Sequence, residues 1–338
     1  MQHEIVKSAA LLDKNGNIAE PGWARSLISR YSRADIKAHP LRIKEWDYYL
    51  ISNDRFALAL TIADNGYMGL ISASVLDFEK PWEQTTSVMT AFPMGKYKLP
   101  ETSAAGVTSY TDSRVNMRFG TANGVRHISC VFHKFLRDET LEAELTLTDE
   151  PQHSMVIATP FEKPKAFYYN QKINCMRANG FMRLGGKTYD FSKEDSFATL
   201  DWGRGVWTYD NTWYWGNGNG TVNGHRVGFN IGYGFGDTSA ASENMIIYDG
   251  MAHKLSKVNF NIPADSYTKP WTFTSDDGRF EMDFVPVIDR AARTNALIIE
   301  SDQHQVFGRF TGKMVLDGGE IIELKDFMGF AEKVHNRY

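Results

Sequence analysis

Three observations predict an all-β chain built from antiparallel sheets closed into barrels or sandwiches. Short apolar or alternating runs recur along most of the sequence, Asx-Gly pairs punctuate them, and no helical periodicity alternates with them. Aromatic residues make up 13% of the 338 residues and 28 are glycine, a composition suited to strands and tight turns. A parallel α/β arrangement is excluded because it needs a helical segment between successive strands.

Residues 1–45 form a mixed N-terminal segment. Pro21-Gly22-Trp23 reads as a turn with an aromatic anchor, and 24–38 carries a weak helical pattern that Pro40 must end. From Glu45 the character changes. The runs 46–51, 55–63 and 67–76 are rich in Tyr, Phe and β-branched residues, and Asp64-Asn65-Gly66 divides the last two as a hairpin turn. Ala122-Asn123-Gly124 predicts another hairpin, and 142–148 alternates as a half-buried strand should. Strands are expected at 166–173, 180–184, 213–216, 226–233, 280–287, 296–300, 305–312, 320–323 and 328–334. Turns are expected at Asn179-Gly180, Asn223-Gly224, Asp249-Gly250, Asp277-Gly278 and 317–319. A Gly-Lys pair followed by an Asp-aromatic element occurs at 185–204 and again at 312–330, an echo that suggests two similar barrels in tandem.

The chain carries 37 basic and 41 acidic residues, for a net charge of -4. The signs are mixed and no basic run occurs, which argues against nucleic acid or an anionic membrane as partner. No run approaches the length of a spanning helix. The N-terminus lacks the basic start and apolar stretch of an export signal. The two cysteines, Cys130 and Cys175, give neither a disulfide framework nor a zinc spacing. A cytoplasmic protein with reduced thiols is expected, without a metal or other cofactor. The partner expected is a small molecule; the oligomeric state is left open.

The densest chemistry lies between Leu200 and Asn244. Trp202, Trp207, Trp213 and Trp215 fall within fourteen positions. Trp213 and Trp215 are two apart on an expected strand and share one face, either as a flat aromatic wall or as barrel core. Asp201 and Arg204 meet only if the backbone turns at Gly203 and Gly205. Asn230 is an amide among apolar neighbours and must be hydrogen-bonded or line a cavity. Glu243, beside Asn244, would have a raised pKa in an aromatic pocket and could donate a proton. Asp201 and Glu243 are therefore the candidate acid–base pair. The glycine-rich runs at 216–220 and 232–236 lack the strand-to-helix setting of a nucleotide fingerprint.

At LDWGRGVW and WYW, at VGFNIGYGF, at SEN, and at QVFGRFTGK near the C-terminus, the chain resembles the bacterial family called domain of unknown function 2804. The likeness runs from Gly22 through Gly329. That family is similar in turn to tandem lipocalin-like proteins, which include carotenoid hydratases of the hydroxyneurosporene synthase type. The resemblance implies two lipocalin-like barrels, at 46–205 and 206–338, with the N-terminal segment packed on them. It also implies a cavity around Asp201, Arg204, Trp207, Trp213, Trp215, Asn230, Glu243 and Asn244. In those relatives an acid protonates an alkene and water adds to the cation.

Three functions are compatible with this reading. One is proton-transfer chemistry (hydration, isomerisation or elimination) with Asp201 and Glu243 catalytic. The second is carbohydrate chemistry on tryptophan platforms. The third is a lipid or pigment carrier in which Asp201 and Arg204 pair with each other and leave the ligand alone.

Overall fold

A computed structural model describes residues 2–296 and 299–337, without the side chains of 294–296 and 299. Among the described residues the chain is all-β, with two short 3-10 turns and strands gathered into a 13-stranded and a 9-stranded antiparallel sheet. The first sheet runs in the order Trp82–Ala91, Met68–Asp77, Phe56–Asp64, Ile43–Ser52, Phe197–Val206, Phe167–Leu184, Glu139–Thr148, Val125–Leu136, Val115–Ala122 and Gly106–Thr111. The second runs Met251–Lys254, Met245–Tyr248, His225–Tyr233, Asp210–Val222, Ile321–Arg337, Ile299–Val315, Phe280–Ala296, Trp271–Ser275 and Val258–Asn261. Each sheet curls around its own apolar core. In each, an early strand is hydrogen-bonded to the last long one: Ile43–Ser52 to Phe197–Val206, and Asp210–Val222 to Ile321–Arg337.

The Asx-Gly hairpins form as chemistry requires. Asn123 and Gly124, Asn223 and Gly224, and Asp249 and Gly250 all have positive φ, the twist that suits a two-residue hairpin. Other expectations are corrected. Asn179-Gly180 is not a turn: one strand runs unbroken over Phe167–Leu184, bulged near Cys175, whose φ is 58°. Gly180 is glycine because a Cβ there would lie 2.1 Å from the Glu144 carbonyl oxygen. The expected strands 320–323 and 328–334 are likewise one strand, Ile321–Arg337, containing Asp326 at positive φ. A bulge breaks the alternation and makes one strand read as two. The expected strand at 296–300 includes residues 297 and 298, which lie outside the described residues. The pattern at 24–38 forms no α-helix, only the single 3-10 turn Arg33–Asp35. The Gly-Lys echo marks a hairpin at Gly185-Gly186 but a mid-strand bend at Gly312. The closer structural parallel is Gly180 with Gly312, each meeting a carbonyl oxygen on the neighbouring strand at 2.1 Å from where a Cβ would be.

The central strand of the first sheet is buried on both faces. Every residue of Phe197–Val206 is buried. Ala198, Leu200, Trp202 and Val206 belong to the first core, so Thr199, Asp201, Gly203 and Gly205 face the second sheet. Arg204 points inward, 0% exposed. Its guanidinium lies 4.2 Å over the Trp202 ring and donates to Asp47 at 3.0 Å and to the carbonyls of Trp46, Gly203 and Pro100 at 2.8 Å each. Asp47 also accepts from Thr108 at 2.5 Å, and Glu45, 3.9 Å from Arg204, accepts from Tyr31 and Arg33. These strands fill the first barrel with a charged cluster in which Arg204 Nε lacks a hydrogen bond, leaving a residual void of about 10 Å³ beside it.

Removing Asp47 takes from Arg204 its hydrogen-bonded carboxylate and leaves only the more distant Glu45, at 3.9 Å. Asp47→Ala is expected to lower the unfolding free energy by about 3 kcal/mol, in the range for breaking a buried ion pair, as read from urea denaturation. A loss below about 1 kcal/mol, typical of an exposed pair, would show that the cluster does not hold this barrel together.

Candidate active site

The two sheets face each other across a cavity of about 500 Å³, within the size range of small-molecule sites. It lies between the barrels and not inside either one. On the first sheet, strand register lines up a row on one face: Ser87, Ser72, Thr61, Tyr48, Asp201 and Lys172 are successive cross-strand partners. On the second sheet the facing row is Arg290, Gln305, Glu332, Trp215 and Gly232. All of these except Gly232 line the cavity. Gly232 matters by what it lacks, since a Cβ there would sit 2.8 Å from a carboxylate oxygen of Glu243. Its bare backbone lets Glu243 reach the cavity from the segment after the strand.

Asp201 is ion-paired to Lys172 at 2.9 Å and accepts from Asn170 at 2.6 Å. The same ammonium lies 4.0 Å over the Trp215 ring. Lys172 is 3% exposed and Asp201 7%, so the pair is largely shielded from bulk water. Glu332 accepts from Trp213 Nε1 at 3.0 Å and from Gln305 Nε2 at 2.8 Å. Burial nevertheless pushes the Glu332 carboxyl up, against those bonds and the pull of Arg290 and Lys172. Burial also raises Glu243, reinforced by the Asp201 charge and opposed chiefly by Lys172. The Tyr48 hydroxyl is driven up to about 12 by burial. Burial and then Glu243 raise Tyr168 well above the ordinary phenol value. The Tyr48 hydroxyl and Gln305 Oε1 are neighbours yet make no hydrogen bond of good geometry, and the buried Trp207 Nε1 has none.

One end of the cavity is an aromatic cage of Trp46, Tyr168, Trp207, Trp213 and Phe235. The rings pack edge to face: Trp46 on Trp207 at 5.3 Å, Trp207 on Phe235 at 4.8 Å and Trp213 on Phe235 at 5.3 Å. Trp46 and Tyr168 lie nearly parallel, 11° apart at 6.2 Å, so the expected flat wall is one such pair with the remaining rings tilted against it. Gly203 is what admits Trp46, because a Cβ on residue 203 would lie 1.9 Å from the indole. The other end is open and polar, with Thr85, Ser87 and Met89 exposed at the rim.

Of the residues expected from sequence, Asp201, Glu243, Trp207, Trp213 and Trp215 line this cavity; Arg204, Asn230 and Asn244 do not. Arg204 is separated by strand alternation, three residues from Asp201 and on the opposite face. Asn230 stands behind the wall, accepting from Trp215 Nε1 at 2.7 Å and donating to the Glu243 carbonyl at 2.8 Å. Asn244 accepts from the Gly232 amide at 2.6 Å and donates to the Ser256 carbonyl at 2.7 Å, which fixes the segment that carries Glu243. Lys172, Glu332, Tyr48, Tyr168, Gln305 and Arg290 were missed. Lys172, Tyr48 and Tyr168 are polar residues with buried neighbours in a strand, the signal that singled out Asn230; Arg290, whose neighbours are half-buried or exposed, gives no such signal. Among the described residues no set of His, Cys, Asp and Glu is arranged to hold a metal ion, and no helix is long and apolar enough to cross a membrane.

The chain belongs to the family Domain of unknown function (DUF2804), whose model matches residues 2–338. No curated protein matches it. Among solved structures it is similar to a protein of Nitrosomonas europaea described as AttH, at 11% identity, covering 90% of this chain and 96% of that one with a TM-score of 0.51. It is also similar to CghA, at 12% identity, 100% and 97% coverage and a TM-score of 0.48. Kievitone hydratase from Nectria haematococca gives 10% identity, 98% coverage of both chains and a TM-score of 0.46. At such identities the likeness concerns the fold, that of tandem lipocalin-like barrels.

Two outcomes check this geometry. Gly203→Ala must displace the Trp46 indole, and is expected to cost roughly 1–3 kcal/mol by overpacking and to shift tryptophan emission; unchanged emission with unchanged stability would contradict the placement of the ring. Glu243 binds its proton more readily folded than unfolded. The resulting stabilisation is complete below the ordinary glutamate value of 4.5 and is lost as pH rises through the higher folded value. Glu243→Gln cannot titrate, so over that window it should lose less stability with rising pH than the parent in urea-denaturation series. Parallel curves would show that Glu243 is not raised.

Proposed function

We propose that this protein is an enzyme that moves a proton on or off a small, partly apolar molecule, in a hydration, elimination or isomerisation. The observation that carries this reading is the convergence of three carboxyl groups, each with different partners, in one aromatic cavity. Glu243 and Glu332 are pushed toward the protonated form by burial, while Asp201 is ion-paired with Lys172. Carboxyls whose environments set them apart divide into acid and base.

In the hydration direction Glu243 gives its proton to one carbon of a C=C bond and becomes a carboxylate. The positive charge left on the other carbon lies beside the electron-rich faces of the cage, which stabilise cations. Water adds to that carbon and its surplus proton passes to Asp201. Elimination is the same path reversed. Isomerisation stops at the cation, which loses a different proton to a carboxylate.

The carrier reading needs Asp201 paired with Arg204, whereas Arg204 is committed to Asp47 inside the first barrel.

The test is isotopic and needs no prior substrate. Protein is incubated with a small-molecule extract of its host in deuterated or oxygen-18 water, and metabolites that gain label only with protein present are identified by mass spectrometry. Glu243→Gln and Asp201→Asn are each expected to slow labelling by about 10²-fold or more, the scale of lost general acid–base catalysis. Small molecules that bind but acquire no label with the parent protein would sink the enzymatic reading. Full activity in both folded variants would sink the residue assignment.

A further inference from the structure

We infer that the cavity is built for an amphipathic monocarboxylic acid, its carboxylate seated on Arg290 and its apolar body in the aromatic cage. The inference rests on the acid–base reading for where the reacting atoms lie, between those two ends. Recognition of the acid end is a separate property of the wall.

Arg290 is the only arginine that lines the cavity among the described residues. Its guanidinium donates to Ser74 Oγ, across on the other sheet, at 2.8 Å. Among the described residues no carboxylate is ion-paired with it. Its chain neighbour Asp289 is held by His304 at 2.7 Å, and Glu332, which feels the Arg290 charge, is bonded to Trp213 and Gln305 instead. The other charged pair in the cavity, Lys172 with Asp201, is self-compensating. Arg290 is therefore left as a cation without its anion, and an arginine fork with free donors matches a carboxylate.

The surroundings of Arg290 are neutral and hydrogen-bonding: Ser72, Ser87, Thr85, Ser301 and Gln303 share that end of the cavity. One guanidinium among hydroxyls and amides, with no helix N-terminus or second cation, suits a single negative charge better than a phosphate. The register gives a scale. Arg290, Gln305, Glu332 and Trp215 are partners on successive strands. Strands are ~4.8 Å apart, so Arg290 stands roughly 10 Å from Glu332 and roughly 14 Å from Trp215 along the wall. A ligand anchored at Arg290 would thus run along the wall past Glu332, with its far end among the rings.

The test is binding of matched probes, followed by quenching of the cavity tryptophans: decanoate against decanol, and phenylpropanoate against phenylpropanol. The parent protein should bind each acid about tenfold or more tighter than its alcohol, the scale of a charge-assisted bidentate contact. Arg290→Gln should abolish that preference and leave the alcohols unchanged. Arg290→Lys should retain part of it and keeps the test open if the glutamine variant does not fold. Ser74→Ala should retain the preference, since Ser74 only orients the guanidinium. Equal binding of acid and alcohol by the parent would overturn the inference, as would an Arg290→Gln change that weakens both alike. Tighter binding of decyl phosphate than of decanoate would overturn the carboxylate assignment. Failure here with isotope labelling intact would leave the acid–base function standing with a different substrate class.

Discussion

A buried seam of amides is the constraint on which the rest depends. Asn217 and Asn219 project from the second sheet toward the first, where Thr199 donates to Asn217 at 2.8 Å and accepts from Asn219 at 2.7 Å. Asn174 donates to Asn219 at 2.9 Å, and Asn219 also accepts from the Cys175 amide at the bulge, at 2.9 Å. On the other side Asn230 ties Trp215 to the Glu243 backbone. Each of these amides is costly to bury unless it is bonded. These bonds form only when the two sheets sit in one relative position, so they set that position and with it the spacing of the two walls of the cavity.

The seam also accounts for the run Gly216-Asn217-Gly218-Asn219-Gly220. Alternation sends the asparagines to the seam and the glycines into the second barrel. There, Cβ atoms at Gly218 and Gly220 would lie within 2.7 Å of the Phe229 and Phe327 rings. The same division of faces governs the neighbouring residues of that strand. Tyr214 stacks on Tyr233 inside the barrel at 4.4 Å, while Trp213 and Trp215 turn outward to the cavity. A strand enclosed on both sides can carry core packing on one face and chemistry on the other, and this cavity is made from several such strands. Because it lies between two low-dielectric barrels, its carboxyls are desolvated without being sealed off from a ligand.

Much of this was legible in the chain. The all-β class and the hairpins at Asn123-Gly124, Asn223-Gly224 and Asp249-Gly250 follow from local rules of turn geometry and alternation, and the crowding of Asp201, Glu243, Trp207, Trp213 and Trp215 into one stretch is plain in the sequence. The strands at Phe167–Leu184 and Ile321–Arg337 were misread as pairs because a bulge reverses the parity of the pattern, and one residue of slip is indistinguishable from a turn when only the sequence is read. Lys172, Glu332 and Arg290 escaped notice because they lie far from the tryptophan cluster in the chain, at ordinary-looking positions in long strands.

The sequence by itself determined which residues form strands, where most hairpins turn, and that acids and large rings would be concentrated between Leu200 and Asn244; these are consequences of interactions over a few residues. It could not determine partners. Whether Asp201 meets Arg204 or Lys172 depends on which strand lies beside Phe197–Val206 and in what register, and a register is a property of the whole sheet. Whether Trp213 and Trp215 look into a barrel or out of it depends on what covers the outer face, which is the other half of the chain. The tertiary structure decided both, because burying the second face of those strands required the two sheets to meet, and the cavity is the space they leave between them.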